Sequence, residues 1–225
     1  RAPRGPDTGE PTTLVLVRHG RTVLTEQGRF SGGAGPDPEL SAAGQDDAER
    51  LAGTLSRSER RSRILPQVSP PVAVVTSPLR RSRQTAGIVA GALGLDPVVE
   101  PGVTEAAFGA WEGLTYAEVA AGWPDLLGRW QGSTALAPPG GESLDDVVSR
   151  VLTTTDRLVA QHRGRTVVVV THVTPIRVVV RHALEAGAAS LWRIRIAPCS
   201  LTAVRFWRDG GAEVMAVNAA ADPTD

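Results

Sequence analysis

The chain has 225 residues, 41% of them apolar, enough for one sizeable core. Its 24 basic and 24 acidic residues cancel, so this domain is expected to bind neither nucleic acid directly nor a membrane surface. Every basic residue is Arg, which excludes a Lys Schiff base or a P-loop Lys, and the lone Cys199 excludes an internal disulfide or a CxxC zinc site and fits a reducing, cytoplasmic setting. No apolar run reaches transmembrane length and no signal-peptide pattern opens the chain.

Residues 1–12 are rich in Pro, Gly and charge and read as a linker or disordered arm. Residues 14–17, LVLV, form a short apolar run of the kind a buried parallel strand shows. A helix is expected over Gln45–Leu55, with Ser41 as cap candidate. Residues 72–75, VAVV, predict a second strand. Ser77-Pro78 then predicts a helix start, Ser as N-cap and Pro in the first position, running to about Leu93. Residues 142–161 show the clearest helical spacing, through Leu144, Val147, Val151 and Leu158. Residues 166–170, TVVVV, predict a third buried strand, and Thr174-Pro175 opens a helix through about Leu184. A terminal hairpin is expected from 200–207 and 213–217 around Asp209-Gly210-Gly211, before a loose tail at 219–225. Strands alternating with helices predict an α/β sandwich with a mostly parallel sheet.

Ligands of such sheets bind at the carboxyl ends of the strands. Here those ends carry Arg18-His19-Gly20, then Thr76-Ser77 with Arg80 in the following turn, then Thr171-His172. Two Arg and two His thus meet helix N-termini at one sheet edge, a composition suited to phosphate. A neutral imidazole can accept a phosphoryl group, Arg offers planar paired donors to its oxygens, and a carboxylic acid must protonate the departing alkoxide.

The segments LVRHGRT, SPLRRSRQTA, VTEAAFGAWEG, PPGGES and VVVVTHVTPIR resemble, in order and spacing, the histidine phosphatase superfamily, over residues 13–217 of the chain. That resemblance implies a three-layer α/β/α sandwich of the phosphoglycerate mutase-like kind over residues 13–218, and a phosphatase that needs no metal and no cofactor. It implies His19 as phosphoryl acceptor, Arg18 and Arg80 as phosphate ligands (with Arg81 and Arg83 as rivals to Arg80), Glu105 as general acid and His172 as second pocket histidine. Arg29, Phe30, Ser31 and Gly32 resemble the loop that often closes over substrate, and Glu112 is expected to be structural. Thr25 stands where many members carry a phosphate-binding Asn; its shorter hydroxyl can still donate. Arg21 replaces the commoner Glu or Gln. Of the tryptophans, Trp123 and Trp130 lie in a 114–140 insert that is expected to roof the site, while Trp192 and Trp207 read as packing.

The RFSG and THVTPIR segments are similar to the phosphatase domain of bifunctional ribonuclease H/acid phosphatase proteins, itself similar to α-ribazole phosphatase. This implies a small phosphorylated metabolite as substrate, α-ribazole 5′-phosphate being one candidate. It also implies a covalently linked N-terminal ribonuclease H domain outside this chain, with residues 1–12 as part of the linker. Two other readings are a phosphoglycerate mutase, disfavoured because residues 114–140 hold only one basic residue, Arg129, and a non-catalytic phospho-ligand module, disfavoured because His19, Glu105 and His172 are all present.

Overall fold

The structure, a computed structural model, describes residues 9–221. In chain order it contains β1 (Thr12–Arg18), α1 (Val23–Glu26), α2 (Ala42–Ser56), α3 (Ser58–Ile64), β2 (Pro71–Thr76), α4 (Arg80–Leu93) and β3 (Pro97–Val99). There follow α5 (Tyr116–Gly122), α6 (Pro124–Gly132), α7 (Leu144–Gln161), β4 (Thr166–Thr171), α8 (Val173–Ala183), β5 (Leu201–Phe206) and β6 (Ala212–Ala219). The expected arm and tail lie largely outside the described residues, but β1 takes in Thr12 and β6 runs through Ala219.

The strands form one sheet in the order β3-β2-β4-β1-β5-β6. β3, β2, β4 and β1 are parallel, and β5 and β6 add an antiparallel edge. Because side chains alternate along a strand, β1 feeds two cores. Leu14 and Leu16 face α7 and α8, with Val151, Leu158, Ile176 and Val179. Val15 and Val17 face α2 and α4, with Leu51, Leu55, Ala86 and Val89. This is the three-layer sandwich, and it explains why β1 and β4 read as continuous apolar runs: both faces are covered. Each fully buried valine or leucine contributes about 1.5–3 kcal/mol.

Local signals set several boundaries. Ser41 caps α2 by accepting from Gly44 N–H at 3.2 Å, and Ser143 forms a capping box with Asp146 at the start of α7. The Ser77-Pro78 expectation is corrected. The helix begins at Arg80 with Leu79 as N-cap; Arg80 N–H donates to the Asp37 carboxylate at 2.8 Å, and the Ser77 hydroxyl lies 2.8 Å from His172 Nε2. A third apolar cluster, Trp111, Val119, Leu127 and Trp130, sits off the sheet and is built by α5, α6 and the turn before them.

Candidate active site

The backbone pairing of the sheet continues one residue beyond the strands. His19 N–H donates to Thr171 O at 3.0 Å, and Ser77 N–H donates to Val170 O at 3.0 Å. Since Arg18 pairs with Thr171 and Thr76 with Val170, the ladder brings His19, Ser77 and His172 to one edge. The loop after β1 then packs hard against the first turn of α2. A Cβ on Gly20 would lie 2.5 Å from Gly44 O, and one on Gly44 would lie 2.0 Å from Arg21 O, so both positions require glycine. Arg21, unusual for the motif, reaches Asp47 on α2 at 2.5 Å and ties the same contact from outside.

His19 is buried, and its orientation is fixed. Its Nδ1 lies 2.7 Å from Gly20 O, and a carbonyl can only accept, so Nδ1 carries the proton and Nε2 keeps its lone pair. Arg81 Nε donates to that Nε2 at 3.2 Å. Burial first, then the Arg81 and Arg18 guanidiniums, hold the His19 pKa well below the ordinary histidine value. The His19 imidazole therefore stays neutral in mildly acidic solution.

The second phosphate-facing arginine of the sequence reading requires correction. Arg80 points outward, its side chain 57% exposed and paired with Glu39, whereas the Arg81 side chain is fully buried beside His19. The cause is helix phase. With α4 starting at Arg80, residues 81, 82, 85, 86, 89 and 90 face the core, and Arg80 and Arg83 do not. Arg81 is gripped by the 29–33 loop, donating to Ser31 O at 2.8 Å and Gly32 O at 3.1 Å, and its other amino group lies 3.4 Å from Asp37.

Arg18 donates to Ile196 O at 2.7 Å, and burial lowers its pKa to about 10, which leaves it charged at neutral pH. Glu105 is buried. Its carboxylate accepts from Ala106 N–H at 2.8 Å and faces the Thr174 N–H in the first turn of α8, at 3.3 Å. Arg150 on α7 clamps this segment by donating to Gly102 O, Thr104 O and Glu105 O while pairing with Glu142. Neither Arg150 nor Glu142 was singled out from sequence. Glu112 is structural, accepting from Gly32 N–H at 2.7 Å and Phe108 N–H at 2.9 Å, and it occupies the space a Cβ on Gly32 would need.

A cavity of about 220 Å³ opens over Arg18, His19 and Glu105, with Arg81 and His172 packed behind its lining against His19. Arg18, His19, Thr25, Arg29, Ser31 and Glu105 line its polar side, joined by Arg177, which donates to Ile194 O at 2.7 Å. Phe30, Phe108, Trp130, Leu144, Leu191 and Trp192 line its apolar side. The insert thus supplies a wall through Trp130. Trp123 instead packs on Trp111, and Trp192, read as packing, reaches the cavity. The 29–33 loop is pinned in place: Phe30 N–H donates to Leu114 O, Gly113 N–H donates to Phe30 O, and Arg29 donates to Gly113 O. Thr25 Oγ1 lies 3.0 Å from Thr22 Oγ1. Three buried polar atoms here, Arg18 Nε, Ser31 Oγ and His172 Nδ1, have no protein partner. Such orphaned groups mark a place where a polar ligand completes the hydrogen bonding. Cys199 lies outside the cavity lining, its N–H donating to Arg18 O at 2.9 Å, and burial raises its thiol to about 12.

Residues 14–219 match the profile of the histidine phosphatase superfamily, branch 1. The chain belongs to this superfamily. It is 45% identical over 210 residues to Bifunctional protein Rv2228c of Mycobacterium tuberculosis, covering 93% of this chain and 54% of that relative, so the chain spans about half of that protein's length. Phosphoserine phosphatase 1 of Hydrogenobacter thermophilus is 32% identical over 180 residues, 80% of this chain and 79% of the relative. Among solved structures, mycobacterial glucosyl-3-phosphoglycerate phosphatase complexed with VO3 superposes with a TM-score of 0.78 at 29% identity, over 92% of this chain and 99% of that one. Superfamily relatives of this chain thus include phosphatases of differing substrate. No helix among the described residues is long and apolar enough to cross a membrane, and no group of three or more potential metal ligands occurs among them.

Proposed function

We propose that this chain is a phosphatase that hydrolyses a small phosphate monoester through a phosphohistidine on His19. The observation that carries this reading is the locked tautomer: Nδ1–H is spent on Gly20 O, so Nε2 keeps its lone pair, which accepts from Arg81 Nε–H until a phosphoryl oxygen takes that donor. In the first half-reaction Nε2 attacks phosphorus. The P–O bond to the leaving group breaks, and the departing oxygen takes the proton of the Glu105 carboxyl. The phospho-imidazole is cationic, and Gly20 O stabilises its Nδ1–H. In the second half-reaction water gives its proton back to the Glu105 carboxylate and attacks phosphorus. The P–N bond breaks and its electron pair returns to Nε2. Arg18, Arg81 and His172 bind the phosphoryl oxygens, with Thr25 and Ser31 at the cavity rim; Arg80 takes no part.

This concentration of fixed positive charge does what a divalent ion does in other phosphoryl-transfer sites, so activity is expected to survive excess EDTA. The aromatic wall supports a leaving group with a planar apolar part, and α-ribazole 5′-phosphate fits that description. The fraction of Rv2228c matched, and its description as bifunctional, support a second domain joined to this one, with ribonuclease H the type proposed.

The test is rapid-quench labelling with a radiolabelled monoester. Acid-labile, base-stable label should appear on the wild type and be absent from His19→Ala, which should also lack turnover. Equal label on both proteins would remove His19 from the nucleophile role. A parallel screen of α-ribazole phosphate, phosphoserine, sugar phosphates and nucleotides by released phosphate should rank the aromatic-bearing esters first. Interconversion of phosphoglycerates without phosphate release would replace hydrolysis with a mutase reaction.

A further inference from the structure

His172 is fully buried, yet one of its two nitrogens is surrounded and the other is bare. Nε2 lies 2.8 Å from Ser77 Oγ and 3.2 Å from Ser82 Oγ, while buried Nδ1 has no partner at all. Both serines are themselves fully buried. A neutral imidazole carries one proton, so two arrangements compete. With the proton on Nε2, a lone pair on Nδ1 is left buried and unmatched. With the proton on Nδ1, Nε2 accepts from the serine hydroxyls, and the unmatched group is a donor beside a cluster of cationic groups. Ser77 favours the second arrangement. Its oxygen faces only a donor, Leu79 N–H at 3.4 Å, besides the ring, so the acceptor that the buried hydroxyl proton meets is Nε2. Burial and the neighbouring His19, Arg81 and Arg18 hold His172 well below the ordinary histidine pKa, so the ring is neutral.

We propose that Ser77 and Ser82 are positioning residues that fix His172 as the Nδ1–H tautomer, so that Nδ1–H donates to a phosphoryl oxygen when the cavity is filled. The proposal rests on the phosphatase reading for its second half alone. The two histidines, with ring centroids 5.1 Å apart, then hold the same tautomer for opposite purposes. In His19 the Nδ1 proton is tied down so that Nε2 keeps its lone pair; in His172 the Nε2 lone pair is tied down so that Nδ1 keeps its proton. Ser77 is the principal donor, being closer, and Ser82 the secondary one. An acceptor for the Nδ1 proton comes with the ligand, as the orphaned buried nitrogen of the free site requires.

Long-range proton–nitrogen correlation spectra of the whole chain, without ligand, should read the His172 tautomer directly, with its signals assigned by their loss in His172→Gln. The wild type should show protonated Nδ1 and acceptor Nε2. Ser77→Ala should shift the population toward Nε2–H, Ser77→Ala/Ser82→Ala further, and Ser77→Thr should restore it. Orthovanadate then probes the second half. Its affinity should fall about tenfold to hundredfold in Ser77→Ala and should not fall further in Ser77→Ala on a His172→Gln background. A wild-type His172 found as the Nε2–H tautomer overturns the proposal, and this holds even if Ser77→Ala does not fold. An altered tautomer with unchanged vanadate affinity overturns the donor role. Absence of vanadate binding by the wild type strikes at the phosphatase reading instead, and leaves the tautomer measurement to judge the serines.

Discussion

The floor of the cavity grows out of the sheet, whereas its aromatic wall is hung on from outside. Arg18, His19 and His172 sit at or one residue past the ends of β1 and β4, and the parallel ladder fixes their backbone positions. Phe30, Phe108, Trp130 and Trp192 come from loops, α6 and a single turn near residue 190, and they hold one another mainly by ring contacts: Phe30 on Phe108 at 4.9 Å, Trp130 on Trp192 at 4.5 Å. Hydrogen-bond geometry is directional and tolerates little change, while apolar packing accepts any side chain of suitable volume. Under the proposed function, the difference separates chemistry from choice of substrate: the floor can stay constant while the wall is rebuilt for another leaving group. That is consistent with phosphatase relatives of different specificity.

The largest effect that would sharpen this contrast is at Glu105. Glu105→Gln should lower kcat by roughly 10²–10⁴ for alkyl phosphates, the range for loss of a positioned proton donor. The loss should be much smaller for p-nitrophenyl phosphate, whose leaving group scarcely needs the proton. Equal losses on the two esters would take Glu105 out of the acid role.

Next in size is the pair of adjacent arginines. Arg81→Ala should reduce kcat/KM by roughly 10²–10³, as removal of one preorganised charge-stabilising donor does. Arg80→Ala should change it by no more than about twofold, since an exposed ion pair such as that with Glu39 is worth about 0–1 kcal/mol. The opposite ranking would put the inward helix phase of α4 in question.

The floor should also betray itself in stability. Both buried histidines have pKa values held well below the ordinary one by burial. An unfolded histidine takes its proton near pH ~6.5, and the folded state does not. Their stabilisation is therefore complete above that pH and is lost as pH falls below it, by up to about 1.4 kcal/mol per pH unit for each histidine. Urea denaturation at several pH values from neutral to mildly acidic should show this slope. His172→Gln should reduce the slope and Trp192→Leu should leave it unchanged; a slope insensitive to His172→Gln would mean that this ring is not buried neutral.

The smallest effect belongs to the wall. Trp192→Leu keeps an apolar side chain, though a smaller one, and removes a face for stacking, worth about 0.5–1.5 kcal/mol. KM should rise about threefold to tenfold for an aromatic-bearing phosphate and stay constant for glycerol phosphate. A uniform change for both would make the wall a mere spacer.

What the sequence determined by itself were the longer elements and the places of the candidate site residues along them. Runs such as VVVV at 167–170 specify a strand buried on both faces, Ser41 and Ser143 cap their helices through bonds three residues away, and the segments around His19, Glu105 and His172 fall at strand ends and the turn beside them. These signals are local, so they survive in a single chain of letters. The structure alone decided which neighbouring side chain turns inward and what it meets. Arg81 rather than Arg80 lies beside His19 because a helix advances about 100° per residue, and a start displaced from the Ser-Pro signal to Arg80 settles the facing of every later residue. Ser77-Pro78 carries the local signal for a helix start, yet the helix begins at Arg80 and the Ser77 hydroxyl meets a histidine 95 residues away. Trp192 and Trp130 meet across 62 residues of chain to close the wall, as 192 − 130 gives. Partners so distant in sequence become neighbours only once the sheet has assembled and its edge has a fixed shape.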